Sequence, residues 1–361
     1  MAQNLTINGA TYNSVSSISV PKAAGGSAIF PDTSDADAAK GDIATGKTAY
    51  VNGEKITGTA AGGIDAGISW DAFDVNGYVT EATVYTTSIP KYAFYNPSTA
   101  GQGLYKLMAD ITFNDSITAI GEYAFYYCSA LALTSLPSDI TTIEQYTFYY
   151  CVALALTSLP SGITSIGGYA FYNCGASALT SLPSGLETIG DYVFTACSLL
   201  ALTSLPSSLT SIGAGAFNAC PLVALTSLPS SLTSVGTSAF AGSGVQISGF
   251  PSKVTSLNGT TFYLCQSLPS KFKLKYVTSM GVNEFRGITS GISKMWISSA
   301  CTTISATSNT KGMFYQSSSS IKIYCEAASK PAGWGTYWNY YSTTQQLTVY
   351  WNTTEAAFDA L

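Results

Sequence analysis

The chain has 361 residues, a formal net charge of −5, 46% hydrophobic and only 10% charged residues, and no histidine. Abundant apolar side chains with little charge exclude a disordered chain, and the missing imidazole removes Ser-His-Asp and Cys-His catalysis, His-ligated zinc and imidazole bases. Lys and Arg number 15, with Arg286 the single arginine and no basic stripe, so nucleic-acid binding by counterion release has almost nothing to act through.

Taken from the start, MAQNLTINGATYNSVSSISV has neither the basic n-region nor the apolar h-region of a secretory signal. No run of about 18 apolar residues follows anywhere, so membrane insertion is not expected. The expectation is synthesis and folding in a bacterial cytoplasm, with no enzymatic activity, catalytic residue, cofactor or metal. Residues 1–62 read as a small α+β module. LTINGATY and SSISVP are short strands, the first interrupted by an Asn8-Gly9 turn. PDTSDADAAKGDIATG predicts a short helix with Asp32, Thr33 or Ser34 as N-cap. AYVNGEKITGT predicts a hairpin closed by Asn52-Gly53.

Gly41 to Thr48 fits the expression G-x-x-x-x-G-K-[ST] of phosphate-binding loops. That mechanism needs a strand before the loop and a helix after it, so that amides and the helix N-terminus cradle phosphate. Here the order is helix before and strand after, which argues against nucleotide binding. AAGGIDAG (residues 60–67) reads as a linker, and residues 63–84 as a linker or entry segment.

From residue 85 the chain repeats. Phe125, Phe148, Phe171, Phe194, Phe217 and Phe240 are each 23 residues apart, followed by Phe262 at 22 and Phe285 at 23. Leu-Pro-Ser keeps the same beat at Leu136, Leu159, Leu182, Leu205 and Leu228. Such a period predicts a β-rich solenoid over residues 85–330, because a 23-residue coil cannot bury its own apolar face and must pack it on the next. Leu-Thr-Ser-Leu and Leu-Thr-Ser-Ile are expected to be short strands stacked in parallel, with Pro206 turning the chain, Gly213 at positive φ and the Phe column as structural spine. Cys128, Cys151, Cys174, Cys197, Cys220 and Cys265 each lie three residues after a spine Phe, and Ser243 takes that place once. A required ligand would not tolerate the serine, so the column reads as buried thiols. Cys301 and Cys325 lie off the beat, and whether they pair is left open.

The pattern I-G-x-x-A-F-x-x-C followed by L-x-x-L-P-S resembles the BspA-type leucine-rich repeat. That resemblance implies a right-handed, curved solenoid of surface and adhesive proteins that bind proteins or glycans without catalysis. The closing run IYCEAASKPAGWGTYWN, then VYW, resembles the end of such arrays, and the spacing lengthens to 29 between Phe285 and Phe314. The segment DTSDADAAKGDIATGKTAYVNGEKITGT (residues 32–59) resembles the N-terminal module of tailed-phage and prophage structural proteins of Firmicutes. It implies an attachment module holding a display module on a virion surface, either capsid decoration, head fibre or tail fibre, released by lysis.

Two groups of aromatics are candidate contact residues. Tyr126, Tyr127, Tyr149, Tyr150 and Tyr172 follow or flank the spine in consecutive coils, giving aromatic ladders that read either as a contact surface, with Tyr126, Tyr149 and Tyr172 as its candidates, or as packing across coils. Trp334, Tyr337, Trp338, Tyr340 and Tyr341 lie in residues 331–361, read as a C-terminal aromatic cap or a distal receptor-contact tip. Lys271, Lys273 and Lys275 in KFKLK read as a solvated strand face. Ile111 to Ser252 contains no Lys or Arg, which suits a glycan or protein receptor and not an anionic one. The leading expectation is a non-enzymatic virion surface protein, homo-oligomeric with a trimer as the guess, attached to capsid or tail proteins and adhering to a host or mucosal surface. The alternative is a BspA-like bacterial surface adhesin.

Overall fold

The computed structural model describes residues 81–95, 109–114, 116–175 and 177–361 with their side chains, and before residue 81 the backbone of the strands named here. Leu5–Ile7 pairs with Ala10–Tyr12, Ser17–Pro21 with Ser27–Pro31, and Thr48–Val51 with Glu54–Thr57, all antiparallel. The Asn8-Gly9 and Asn52-Gly53 dipeptides thus stand between paired strands, as two-residue hairpin loops require. The predicted helix after Asp32, residues 41–47 of the phosphate-loop match and the 60–67 linker lie outside the described residues. Residues 63–84 are not simply a connector. Ile68–Phe73 and Val79–Val84 pair antiparallel there, and Val79–Val84 also pairs in parallel with Asp110–Phe113. The apolar-polar alternation in VTEATV is the strand signal that a linker reading passes over.

From Ser88 onward the chain winds into about nine parallel coils. Each coil contributes a two-residue rung, and Thr142–Ile143, Ser165–Ile166, Thr188–Ile189, Ser211–Ile212 and Ser234–Val235 pair in one parallel, in-register sheet. Within a rung the second residue is buried and the first faces outward, the period of two that a strand imposes. At Pro160, Pro183, Pro206 and Pro229 the proline carbonyl accepts from the amide three residues on, as Pro206 does from Leu209 at 3.1 Å, so this triplet turns the chain as expected.

The other expected strand column is only partly regular. In the central coils the Leu-Thr-Ser-Leu run forms no regular strand, and its first residue accepts one bond from the next coil, as Leu179 O does from Ala201 N at 3.0 Å. A proline directly after each run offers no amide to a ladder. Regular pairing returns where the proline is gone, in Lys271–Leu274, Lys294–Ile297, Lys322–Cys325 and Thr348–Tyr350.

The spine is as the spacing predicts. Phe94, Phe125, Phe148, Phe171, Phe194, Phe217, Phe240, Phe262, Phe285 and Phe314 are all buried, with successive rings 4.9 to 6.0 Å apart and 2 to 24° from parallel. Burying each ring is worth about 1.5–3 kcal/mol. The cysteine column is stapled to this spine by hydrogen bonds. Cys151 donates to Phe125 O at 3.0 Å, Cys174 to Phe148 O at 3.1 Å and Cys220 to Phe194 O at 2.9 Å, each reaching back one coil. Ser243 donates instead to the carbonyl of Phe240 in its own coil, at 2.6 Å.

Gly213 is not at positive φ, contrary to expectation. Its role is close approach: a Cβ there would lie 2.5 Å from Gly190 C and 2.6 Å from Asp191 N of the preceding coil. Positive φ falls instead on the residues two before and two after the spine Phe, including Tyr123 (58°) and Tyr127 (60°), Tyr146 (58°) and Tyr150 (59°). This conformation costs an ordinary residue about 1–2 kcal/mol. It turns the amides of alternate residues toward the next coil, where Tyr123 N, Phe125 N and Tyr127 N donate to Gln145 O, Thr147 O and Tyr149 O at 3.1, 2.9 and 2.7 Å. The rung sheet stops where Glu144 and again where Asn258 replaces the glycine, while Ser305 is accepted in a coil lengthened to 24 residues. Near Asn258 the buried Glu284 repairs the step, accepting from Gly259 N at 2.6 Å, Gly281 N at 3.0 Å and Thr261 N at 3.1 Å. Burial pushes its carboxyl up in pKa while these donors pull against the shift.

Gly213→Ala should lower stability by about 1–3 kcal/mol, the usual cost of forced overpacking. Gly185→Ala, with nothing within 4 Å of the new Cβ, should be near neutral. Urea unfolding of the two variants beside the parent checks this.

Candidate binding surface

The tyrosines beside the spine form a single surface. Tyr92, Tyr123, Tyr146, Tyr169 and Tyr192 stack in one ladder with centroids 4.7 to 5.2 Å apart. Tyr95, Tyr126, Tyr149 and Tyr172 stack in a second at 4.8 to 5.0 Å. Tyr127 and Tyr150 add a short third at 4.7 Å. Edge-on and tilted contacts join the ladders, as between Tyr126 and Tyr146 at 6.3 Å and between Tyr149 and Tyr150 at 4.9 Å. The result is a terrace of eleven tyrosines, half-exposed apart from Tyr92, which is 43% exposed.

The stacking determines what the terrace offers. Within the ladders, ring faces between successive coils cover one another, so edges and hydroxyls are presented along most of the terrace. At the far end Gly215 stands where a Cβ would lie 2.5 Å from the Tyr192 ring, so that face is closed too. Partial burial raises the phenol pKa values: Tyr126 is pushed up to about 12, and Tyr149, Tyr123, Tyr127 and Tyr169 also move up. These five phenols are therefore neutral at pH 7. Beside the terrace, Glu122 faces Tyr123 and Asp191 faces Tyr169, while Lys91 pairs with Glu122 at one edge. The exposed Thr column beside the rungs is engaged structurally, with Thr233 Oγ1 donating to Thr210 O at 2.9 Å and Thr278 Oγ1 to Thr255 O at 3.0 Å.

Of the sequence candidates, Tyr126, Tyr149 and Tyr172 come together as the middle of the second ladder. Trp334 and Trp338 do not join a surface. They are 2% and 3% exposed, 4.5 Å apart, and both pack against Trp351. Trp334 Nε1 donates to Cys301 O at 2.9 Å, and a parallel bridge from Trp334 to Ile304 continues the rung column into the end of the chain. These two tryptophans cover the last coil, because its apolar face has no further coil to meet. Tyr337 is half-buried against the same core, Tyr340 accepts from Gln346 Nε2 and Tyr341 donates to Gln345.

The KFKLK face is not merely solvated. A short helix, Glu355–Asp359, lies on it and inserts Phe358 against Trp296 and Tyr324. Lys273 pairs with Glu355 and Asp359, Lys275 pairs with Glu355 at 2.8 Å, and Lys271 donates to Asp359 O at 2.8 Å. The Lys275 and Lys273 ammonium groups hold the Glu355 carboxyl below its ordinary pKa. The aromatic socket, invisible to strand periodicity, draws these acids onto the lysines. All eight cysteines are free and buried, Cys301 and Cys325 included. Burial pushes the thiol of Cys197 up to about 12, and the described residues hold no cluster of three metal-ligating groups.

The repeat signature described as BspA type leucine rich repeat region matches in six copies over residues 87–220 and 188–322, more than half of the chain. The chain belongs to the BspA-type leucine-rich repeat family. No curated protein matches the sequence. Among solved structures it is similar to a leucine-rich repeat protein from Bacteroides ovatus, at 21% identity over 74% of this chain and 80% of that one, with a TM-score of 0.43. A leucine rich cell surface protein from Faecalibacterium prausnitzii aligns at 17% identity over 100% and 97%, TM-score 0.41. The pneumococcal vaccine antigen PcpA aligns at 13% over 98% and 99%, TM-score 0.31. The family assignment rests on the repeat match alone.

Two measurements test this surface. Because the folded-state phenol pKa values lie above the ordinary value of about 10, the stability they carry is complete below pH 10. It should fall as pH rises from about 10 through 12, and phenolate absorbance followed with circular dichroism checks it. Trp334→Ala should cost about 3–5 kcal/mol and promote aggregation at the exposed end, as thermal melts and light scattering would show.

Proposed function

We propose that this protein is a non-enzymatic, surface-displayed adhesive repeat protein of the BspA type, and that the tyrosine terrace is its contact face. The observation that carries this is the terrace itself: eleven partly exposed aromatic side chains held in place by stacking, nine of them within Ile111 to Ser252, which carries no Lys or Arg. Tyrosine supplies large amphipathic contact area at low entropy cost, and stacking has already removed most of that entropy. Sugar rings commonly bind on exposed aromatic faces, and along the ladders those faces are turned onto the neighbouring coil. Edges and hydroxyls suit a protein partner, and the surrounding carboxylates favour one that is neutral to basic. The repeat family supports this surface-adhesin reading over the virion reading.

The virion reading keeps one supporting observation, the resemblance of residues 32–59 to phage structural modules. Mass spectrometry of density-purified particles against a producer cell envelope separates the two: the adhesin reading expects this chain in the envelope. The terrace is tested with labelled protein on host epithelial cells. Tyr126→Ala, Tyr149→Ala and Tyr172→Ala should each weaken binding by up to about 2 kcal/mol, roughly 30-fold in Kd. Substitutions at Tyr340 should leave it unchanged. Full binding by a folded triple variant would sink the assignment of the contact face.

A further inference from the structure

We propose that the terrace is also an oxidative cross-linking site, at which stacked tyrosines of successive coils couple into dityrosine under a haem peroxidase and hydrogen peroxide. The proposal goes beyond the adhesive reading and does not need it.

Two features point to it. The first is where oxidation can begin. Every cysteine is buried, with thiols that burial makes harder to ionise, so the usual first target is inert. Met280, Met295 and Met313 are buried, as are Trp296, Trp334 and Trp338. Trp351 is half-buried against the tryptophan pair at the far end of the solenoid. Among the described residues, the dense array of accessible oxidisable side chains is the terrace.

The second feature is pairing. Tyr123 and Tyr146 lie 4.7 Å apart at 12°, Tyr146 and Tyr169 4.7 Å at 6°, Tyr126 and Tyr149 4.8 Å at 7°, and Tyr127 and Tyr150 4.7 Å at 15°. Partners held side by side react with a large effective-concentration advantage over an encounter between chains. The side contacts between ladders, 4.9 to 6.3 Å, connect all three into one array, so a radical formed at any ring has a neighbour within reach.

The chemistry balances. The peroxidase takes one electron and one proton from each of two phenols, and the two phenoxyl radicals join by a new carbon–carbon bond between ring positions ortho to oxygen. The two hydrogens on the joined carbons move to the oxygens and restore both phenols. Hydrogen peroxide accepts the two electrons and two protons and leaves as two waters. The product is a covalent rung between adjacent coils.

The test treats dilute full-length protein with peroxidase and hydrogen peroxide, isolates the monomer, and reads dityrosine fluorescence, loss of two hydrogens per link in intact mass, and linked peptides after proteolysis. Expected links join tyrosines 23 residues apart, Tyr123–Tyr146, Tyr146–Tyr169, Tyr126–Tyr149 and Tyr127–Tyr150. Yield should fall several-fold in guanidinium. The double variant Tyr146→Phe with Tyr149→Phe keeps the stacked rings and should lose the first three links while retaining Tyr127–Tyr150. No coupling, links chiefly between chains or at the exposed Tyr85 and Tyr276, or equal yield from the denatured chain would each overturn the proposal.

Discussion

In-register stacking of coils, one chain layer about 4.8 Å above the next, is the constraint on which the rest depends. A single coil has no interior, so its apolar residues are buried only by the same residues of its neighbours. Once layers sit one period apart, any side chain that recurs becomes a continuous column. Phenylalanine becomes the spine, and the thiol three residues later finds the Phe carbonyl one coil back. Glycine becomes obligatory where backbones meet. Where the glycine after the rung is replaced, at Glu144 and at Asn258, the sheet of rungs is interrupted. At the second of these, the buried Glu284 supplies acceptors for three backbone amides.

The same stacking shapes the outer surface. Residues two before and one after the spine Phe point outward, and tyrosine there stacks on tyrosine as phenylalanine does inside. Aromatic pairs of this kind add about 0.5–1.5 kcal/mol beyond area burial. The terrace therefore helps hold adjacent coils together while remaining accessible at its edges. Stacking between coils leaves its rings little rotational freedom to lose.

The C-terminal end solves a different problem. A solenoid without a last lid leaves apolar residues and unpaired backbone facing water. Here Trp334, Trp338 and Trp351 cover the core side, while Thr348–Tyr350 adds a final strand to the outer column. The short helix then fastens that column from outside, with Phe358 in its aromatic socket and its acids on the Lys271 to Lys275 face.

The repeat was legible in the sequence because a stacked fold writes its period directly into residue identity: the 23-residue beat, the Phe spine, the buried thiols and the Pro turns follow from one coil meeting its copy. The strand pairs around Asn8-Gly9 and Asn52-Gly53 were legible from local turn chemistry. Other features depended on what lies across the gap between coils, which no local pattern states. Gly213 was misread as a turn residue because its reason is the backbone of the preceding coil, and tyrosines at positive φ give no local sign of that conformation. The Lys271 to Lys275 face looked solvated because its partner lies more than 80 residues away. Five tyrosines were legible as ladders where eleven stack together, since the stacking order exists only once the coils are superposed. The sequence by itself determined the period and what must be buried; the tertiary structure decided which surface the period builds, because that depends on distances between layers and not along the chain.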